Sequence, residues 1–156
     1  MELTKTQHSA INKIGSFFNS SNNIFILKGA AGTGKTTLCN YIIDIINERD
    51  DLNYILLSPT GRAARVLARK TNSIASTVHQ HIYKRSNLVE YIETNKKTDL
   101  KTTFDLKIND NSLNTIYIID EASMISNIPS NNNNLLYGTG NLLSDIIKFT
   151  FNPMIE

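Results

Sequence analysis

The sequence predicts an α/β protein in which a parallel β-sheet is covered by helices on both faces. Three continuous apolar runs, at 24–28, 54–57 and 115–119, have the length and composition of buried strands. Segments with apolar residues at helical spacing alternate with these runs, which is typical of parallel strands joined by crossover helices. Because such sheets bind ligands beyond the carboxyl ends of their strands, we expect the functional residues there.

Amphipathic helices are predicted around these strands. The first covers 4–19, where apolar residues recur at helical spacing and Thr4 or Thr6 provides the N-cap. The other predicted helices are one that follows the first strand and ends near Asn47, one at about 62–70 and one at about 142–151.

Two segments interrupt the alternation. The segment 84–114 is polar and lysine-rich, but Phe104, Leu106 and Ile108 alternate within it, which indicates a small inserted strand or hairpin. The asparagine tract at 131–134 is expected to be a solvated loop.

Composition limits the classes of protein to consider. The chain has 156 residues and a net charge of +2, which favours one globular domain over 1–156 and excludes a uniformly basic surface. Cys39 is the single cysteine, so an internal disulfide and a multi-cysteine metal site are excluded. No apolar run approaches the length of a membrane span, and the N-terminus does not resemble a signal peptide. We therefore expect a cytoplasmic protein without a membrane partner.

The segment GAAGTGKT, at 29–36, joins the first strand to the helix that follows. Its glycines let the backbone turn so that several N–H groups point at one anion beside a helix N-terminus. Lys35 would reach the β- and γ-phosphates of a nucleotide, and the Thr36 hydroxyl would bind Mg²⁺. The residues expected to bind the nucleotide are Gly29, Ala30, Ala31, Gly32, Thr33, Gly34, Lys35, Thr36 and Thr37.

An ordinary glycine-rich turn with an incidental lysine is the alternative. The complete pattern between a strand and a helix favours a nucleoside triphosphate site instead, with ATP and Mg²⁺ as its ligands.

The predicted strand at 115–119 ends in two adjacent acids, Asp120 and Glu121. Beside a phosphate-binding loop, Asp120 would hold Mg²⁺ together with Thr36, and Glu121 would accept a proton from the water that attacks the γ-phosphate. The predicted catalytic residues are thus Lys35, Asp120 and Glu121. A pair of exposed acids at a strand end is the alternative interpretation.

The run Asp120-Glu121-Ala122-Ser123-Met124 resembles the second motif of superfamily 1 helicases, in the 5′-to-3′ branch that contains RecD and Dda. Three other segments agree: Leu3-Thr4 with Gln7 is similar to the adenine-reading segment, 58–64 resembles the first DNA-contacting motif, and 76–79 resembles the second. The resemblance implies a P-loop NTPase fold of the RecA-like type, with the 84–114 insertion where the branch carries a pin subdomain.

The resemblance also implies roles for individual residues. Gln7 would read the adenine base, and single-stranded DNA would be contacted by Pro59, Thr60, Gly61, Arg62, Thr77 and His79. Each role has an ordinary alternative, because Gln7 can be a surface residue, Thr60 can cap a helix and His79 can be a packed histidine. Arg62 shares a predicted helix face with Arg65 and Arg69, which is either a solvated face or a phosphate-binding one.

A superfamily 1 motor resembles two RecA-like lobes, and the third motif and the second lobe have no counterpart in 1–156. The resemblance therefore implies a truncated N-terminal motor lobe that binds nucleotide better than it hydrolyses it and does not unwind DNA alone. Two alternatives stay open. One is a nucleotide-dependent switch without motor activity, and the other is a small-molecule or nucleotide kinase, against which the run at 120–124 argues.

Overall fold

The computed structural model describes residues 3–30, 32–92, 98–129 and 135–151. Its strands are β1 Asn53–Ser58, β2 Ala75–Thr77, β3 Tyr83–Ile92, β4 Thr98–Leu106, β5 Thr115–Ile119 and β6 Leu135–Tyr137. Its α-helices are α1 Lys5–Phe18, α2 Lys35–Asn47, α3 Gly61–Thr71, α4 Val78–Ile82 and α5 Leu142–Phe151. The asparagine tract at 131–134 lies outside the described residues.

The helix starts follow from capping chemistry. Thr4 caps α1 as predicted: its hydroxyl accepts from the backbone N–H of Gln7, and the Gln7 side chain accepts from the backbone N–H of Thr4. Thr60 caps α3 and Thr77 caps α4, each through its hydroxyl alone, which accepts from the backbone N–H three residues later. The sequence prediction of four helices is confirmed, with their ends correct to within a few residues: α1, α2, α3 and α5.

The central sheet is parallel, with strand order β2-β1-β5. Alternating side chains on β1 separate its two faces. Leu56 packs with Cys39 of α2 and Leu67 of α3, whereas Leu57 packs with Val78 of α4 and Phe149 of α5. The predicted α/β architecture, a parallel sheet covered by helices on both faces, is confirmed.

Strands β3 and β4 form an antiparallel hairpin in the region where an insertion is predicted. Strand β6 adds to β4 in parallel. The ring of Phe104 on β4 stacks on that of Tyr137 on β6, with centroids 4.4 Å apart, and both rings pack against the core below the sheet. The hairpin is therefore anchored to the main body by aromatic packing.

The predicted first strand, at 24–28, is wrong. Residues 24–28 form no strand in the structure, and Ile24, Phe25 and Ile26 are exposed. Apolar composition favours a strand, but a strand also needs a neighbour for its backbone hydrogen bonds. Within the described residues β5 pairs with β1 alone, so its other edge forms no strand pairing with the segment 24–28.

In the described part of the chain, no helix has the length and hydropathy that crossing a bilayer requires.

Asp145 of α5 is a buried carboxylate with three donors. The hydroxyl of Tyr83 donates to it at 2.6 Å, and Thr139 donates through both its backbone N–H, at 3.1 Å, and its hydroxyl, at 2.9 Å. Burial and the Asp145 carboxylate raise the pKa of Tyr83 above its usual value, so its hydroxyl stays a donor. These bonds fix α5 to the base of the hairpin.

We expect Tyr83→Phe to destabilise the protein by about 1.5–3 kcal/mol, because a buried carboxylate loses a charge-assisted hydrogen bond. Tyr54→Phe is the matched control, since its hydroxyl makes a 3.3 Å bond to the half-buried hydroxyl of Ser73 and should cost only about 0.5–1 kcal/mol. Urea denaturation measures both. Equal losses in the two variants would contradict the anchoring role of Asp145.

Candidate functional site

The glycine-rich loop leads directly into α2. Gly32 and Gly34 have φ of +77° and +81°, a left-handed conformation that other residues adopt at a cost, which explains the glycine at these two positions. Gly34 is the N-cap of α2 and supplies no side-chain acceptor. The first N–H groups of α2 are therefore not capped by a side chain and face the loop, as an anion site requires.

Lys35 closes the loop on itself. Its ammonium group donates to the backbone oxygens of Gly29 and Ala30, both at 2.8 Å, and the Thr33 hydroxyl donates to Ala30 at 2.8 Å. A bound phosphate would compete with these two carbonyl groups for the same ammonium protons. Ala31, predicted to bind nucleotide as well, lies outside the described residues.

Gln7 reaches the same loop from α1. Its side-chain nitrogen donates to the backbone oxygen of Thr33 at 3.1 Å, while its side-chain oxygen serves the capping box of α1. Both ends of the amide are therefore engaged. The structure brings Gln7 to the nucleotide loop, although it does so through a contact with the loop backbone that the sequence did not indicate.

Thr36 and Asp120 meet although 84 positions separate them in the sequence. The Thr36 hydroxyl, on the first turn of α2, donates to the Asp120 carboxylate at 3.0 Å. Asp120 follows β5, and its backbone N–H continues the sheet by donating to Leu57 of β1. A hydroxyl and a carboxylate oxygen are ligands that Mg²⁺ prefers, so this pair fits a magnesium site.

Glu121 has φ of +56°, which is uncommon for a residue with a side chain. Its backbone N–H donates to the other carboxylate oxygen of Asp120 at 3.0 Å, and its own side chain is exposed. Left-handed backbone at a non-glycine residue stores strain, which concentrates at functional sites. Nothing in the sequence pattern signalled this conformation.

Cys39 lies one turn beyond Thr36 on α2 and is buried. Burial and the nearby Asp120 carboxylate raise the pKa of its thiol to about 11. The thiol is therefore neutral and acts as a packing residue.

The two predicted DNA-contacting segments are neighbours. They follow the parallel strands β1 and β2, and Ser58 pairs with Thr77 in the sheet register. A Cβ atom placed on Gly61 would lie 4.0 Å from a methyl group of Thr77. Pro59 and Arg62 belong to the same segment, and Arg62 is exposed. The structure thus brings these residues to one edge of the sheet.

The hydroxyls of Thr60 and Thr77 accept from the backbone N–H groups of Ala63 and Gln80, at 3.2 and 3.1 Å. The capping role considered for Thr60 is therefore present. Each hydroxyl keeps its own proton, which is available to a phosphate oxygen.

His79 packs against the hairpin. Its ring contacts those of Tyr83 and Tyr137, with centroids 5.6 and 4.9 Å apart, and burial lowers its pKa below the usual value. The imidazole is therefore neutral at pH 7 and half-buried. His81 also lies among aromatic rings, and the described residues contain no cluster of three or more metal-binding side chains.

We expect Gly34→Ala to destabilise the protein by about 1–2 kcal/mol, because alanine resists the left-handed conformation and its Cβ would lie 2.8 Å from the Gln7 amide. Gly15→Ala is the matched control: Gly15 lies within α1 with open space around it, so this change should stabilise by about 0.5–1 kcal/mol. Urea denaturation compares them. A Gly34→Ala protein as stable as the wild type would contradict the loop conformation.

Comparison with known proteins identifies the family. A family model described as "AAA domain" matches residues 2–132, which is most of the chain. The ATP-dependent DNA helicase Dda of Enterobacteria phage T4 is 32% identical over 123 residues, covering 79% of this chain and 26% of the helicase. The ATP-dependent RecD2 DNA helicase of Deinococcus radiodurans is 35% identical over 78 residues, covering 50% of this chain and 10% of that protein.

An uncharacterized protein of Methanocaldococcus jannaschii is 37% identical over 107 residues, which are 67% of this chain and 9% of that protein. The chain thus spans about a quarter or less of the curated relatives that it matches. Three findings agree: the matched family model, the two helicase relatives and the parallel sheet. The chain belongs to the AAA-domain family of P-loop ATPases, and within it to the N-terminal lobes of superfamily 1 helicases of the RecD/Dda-like type.

Proposed function

We propose that this chain is the ATP-binding motor lobe of a DNA helicase that couples ATP hydrolysis to 5′-to-3′ translocation on single-stranded DNA. The observation that carries the proposal is the 3.0 Å contact between the Thr36 hydroxyl and the Asp120 carboxylate, beside Lys35 and the uncapped start of α2. Family resemblance alone supports the 5′-to-3′ direction. We also propose that the protein is cytoplasmic, as its sequence leads us to expect.

Each polar or charged group at the proposed ATP site has a distinct role. Lys35 exchanges its two backbone acceptors for the β- and γ-phosphates of ATP, and the first N–H groups of α2 bind phosphate oxygens. Thr36 and Asp120 would hold Mg²⁺, which would supply positive charge to offset that of the phosphates. Glu121 orients the attacking water and accepts its proton.

The proposed DNA site lies at the carboxyl ends of β1 and β2. The spare hydroxyl protons of Thr60 and Thr77, the backbone N–H groups near Gly61 and the exposed guanidinium of Arg62 would bind phosphates. His79 would act beside them as a neutral imidazole that links this site to the hairpin.

Translocation requires a second lobe that moves relative to this one as ATP is bound and hydrolysed. We therefore propose that 1–156 alone binds nucleotide without unwinding duplex DNA. The hairpin of β3 and β4, which overlaps the proposed 84–114 insertion, would act as the strand-separating pin of the complete motor.

A nucleotide-dependent switch without motor activity is the second candidate. One observation favours it: Thr60 and Thr77 are occupied as helix caps, and His79 is packed among aromatic rings. All three side chains thus have structural tasks that do not require DNA.

Equilibrium binding of a fluorescent, non-hydrolysable ATP analogue with Mg²⁺ tests the nucleotide site. We expect the wild type to bind and Lys35→Ala to lose affinity at least tenfold, because the phosphates lose a direct cation. Lys13→Ala on the exposed face of α1 is the control and should bind like the wild type. Equal affinities for Lys35→Ala and Lys13→Ala would refute the proposed site.

Binding of labelled oligothymidine without nucleotide separates a DNA contact at Thr60 from its cap. Thr60→Asp preserves an N-cap acceptor but places a negative charge against phosphate, so we expect unchanged thermal stability and an affinity about tenfold lower. Thr4→Asp makes the same change at the N-cap of α1 and should alter DNA affinity less than about twofold. Wild-type affinity in Thr60→Asp would favour the switch over the motor.

A further inference from the structure

Ser58, the last residue of β1, is completely buried, and its hydroxyl has no hydrogen-bond partner among the described residues. A buried hydroxyl without a partner destabilises the folded state, and native proteins retain few of them. Its persistence at the carboxyl end of a central strand therefore needs an explanation. Ser58 is the first residue of the segment 58–64, but it is not among the residues expected to bind nucleotide or DNA.

The sheet geometry shows which way Ser58 points. Side chains alternate along a strand, so Ser58 lies on the same face as Leu56, two residues earlier. Leu56 packs against Cys39 and Ile43 of α2. The Ser58 hydroxyl is therefore directed to the α2 side of the sheet, where the candidate nucleotide site lies.

Asp120 lies beside Ser58, at the position that directly follows the neighbouring strand β5. Leu57 of β1 is in register with Ile119 of β5, and the backbone N–H of Asp120 donates to Leu57 at 3.0 Å. The next step in this register places Ser58 beside Asp120, at the strand spacing of about 4.8 Å. The Asp120 carboxylate faces α2, because it accepts from Thr36. The two side chains thus lie side by side and face the same helix N-terminus.

The Asp120 carboxylate is held on two sides already. Its Oδ1 accepts from the backbone N–H of Glu121, and its Oδ2 accepts from Thr36. A carboxylate offers about four acceptor positions, so it has room for another donor. Carboxylates that bind a metal are normally oriented by such additional hydrogen bonds.

We propose that Ser58 is a positioning residue of the magnesium site: its hydroxyl gains its partner when Mg²⁺ and nucleotide bind, and it then holds the Asp120 carboxylate in the orientation that the metal requires. This inference rests on the proposed nucleotide-binding function. On this proposal the Ser58 hydroxyl destabilises the ligand-free protein, where it has no partner, and strengthens the binding of Mg²⁺ and nucleotide, where it has one. Removing a residue that only packs would not stabilise the ligand-free protein while weakening Mg²⁺ binding.

The test uses Ser58→Ala and two measurements. In ligand-free protein, thermal denaturation should give a Tm equal to or above that of the wild type, because the unpartnered hydroxyl is gone. Affinity for the non-hydrolysable ATP analogue should be unchanged in EDTA. The increase in affinity on adding Mg²⁺ should be about three- to tenfold smaller than in the wild type, which corresponds to the net contribution of one typical hydrogen bond.

Thr71→Val is the matched control. Its hydroxyl is also buried, but it donates to the backbone oxygen of Leu67 at 2.9 Å on α3, away from Asp120. This variant should keep the full effect of Mg²⁺ on nucleotide affinity. A reduced effect of Mg²⁺ in Ser58→Ala and not in Thr71→Val supports the proposal.

Three results would overturn it. A lower Tm for ligand-free Ser58→Ala would show that the hydroxyl already has a partner. An unchanged effect of Mg²⁺ in this variant, with wild-type binding that depends on Lys35, would reject the role of Ser58 while leaving the nucleotide site intact. Absence of any Mg²⁺-nucleotide binding by the wild type would reject both proposals together.

Discussion

The parallel pairing of β5 with β1 is the constraint on which the candidate site depends. It extends by one hydrogen bond past the end of β5, from the N–H of Asp120 to Leu57, and so fixes the backbone of an acid that is distant in sequence from the loop at 29–36. The helix α2 then packs Cys39 and Ile43 onto the same face of the sheet, which sets the position of its first turn. Thr36 can reach Asp120 only because β5 pairs with β1 and α2 packs on this face of the sheet.

The loop at the start of α2 is stable without a ligand because its own groups satisfy one another. Lys35 supplies the cation, the carbonyl groups of Gly29 and Ala30 supply the negative dipoles, and Gln7 closes the other side through Thr33. The arrangement prevents an unpaired ammonium from repelling the start of α2. It also means that nucleotide affinity is a difference between two sets of contacts, since one set must break before the other forms.

Much of this molecule follows from local sequence patterns. The N-cap at Thr4, the periodicity of α2 and the helix predicted at about 62–70 are encoded within a few residues, and each of these predicted features is present. The prediction of a strand at 24–28 is wrong because strand formation depends on a distant partner that periodicity cannot reveal. Likewise, the ring contacts of His79 with Tyr83 and Tyr137 join segments that no spacing rule connects.

Among the described residues β5 has a strand partner on one edge only, which has a consequence for how this protein behaves in solution. An open strand edge offers unsatisfied N–H and C=O groups to any extended chain, and the exposed side chains of Ile24, Phe25 and Ile26 add an apolar surface in a segment that has no strand partner among the described residues. Natural proteins usually protect such edges with charged residues or prolines, yet β5 reads TIYII. Self-association through this edge should therefore rise with concentration and limit the conditions under which the isolated chain can be handled as a monomer.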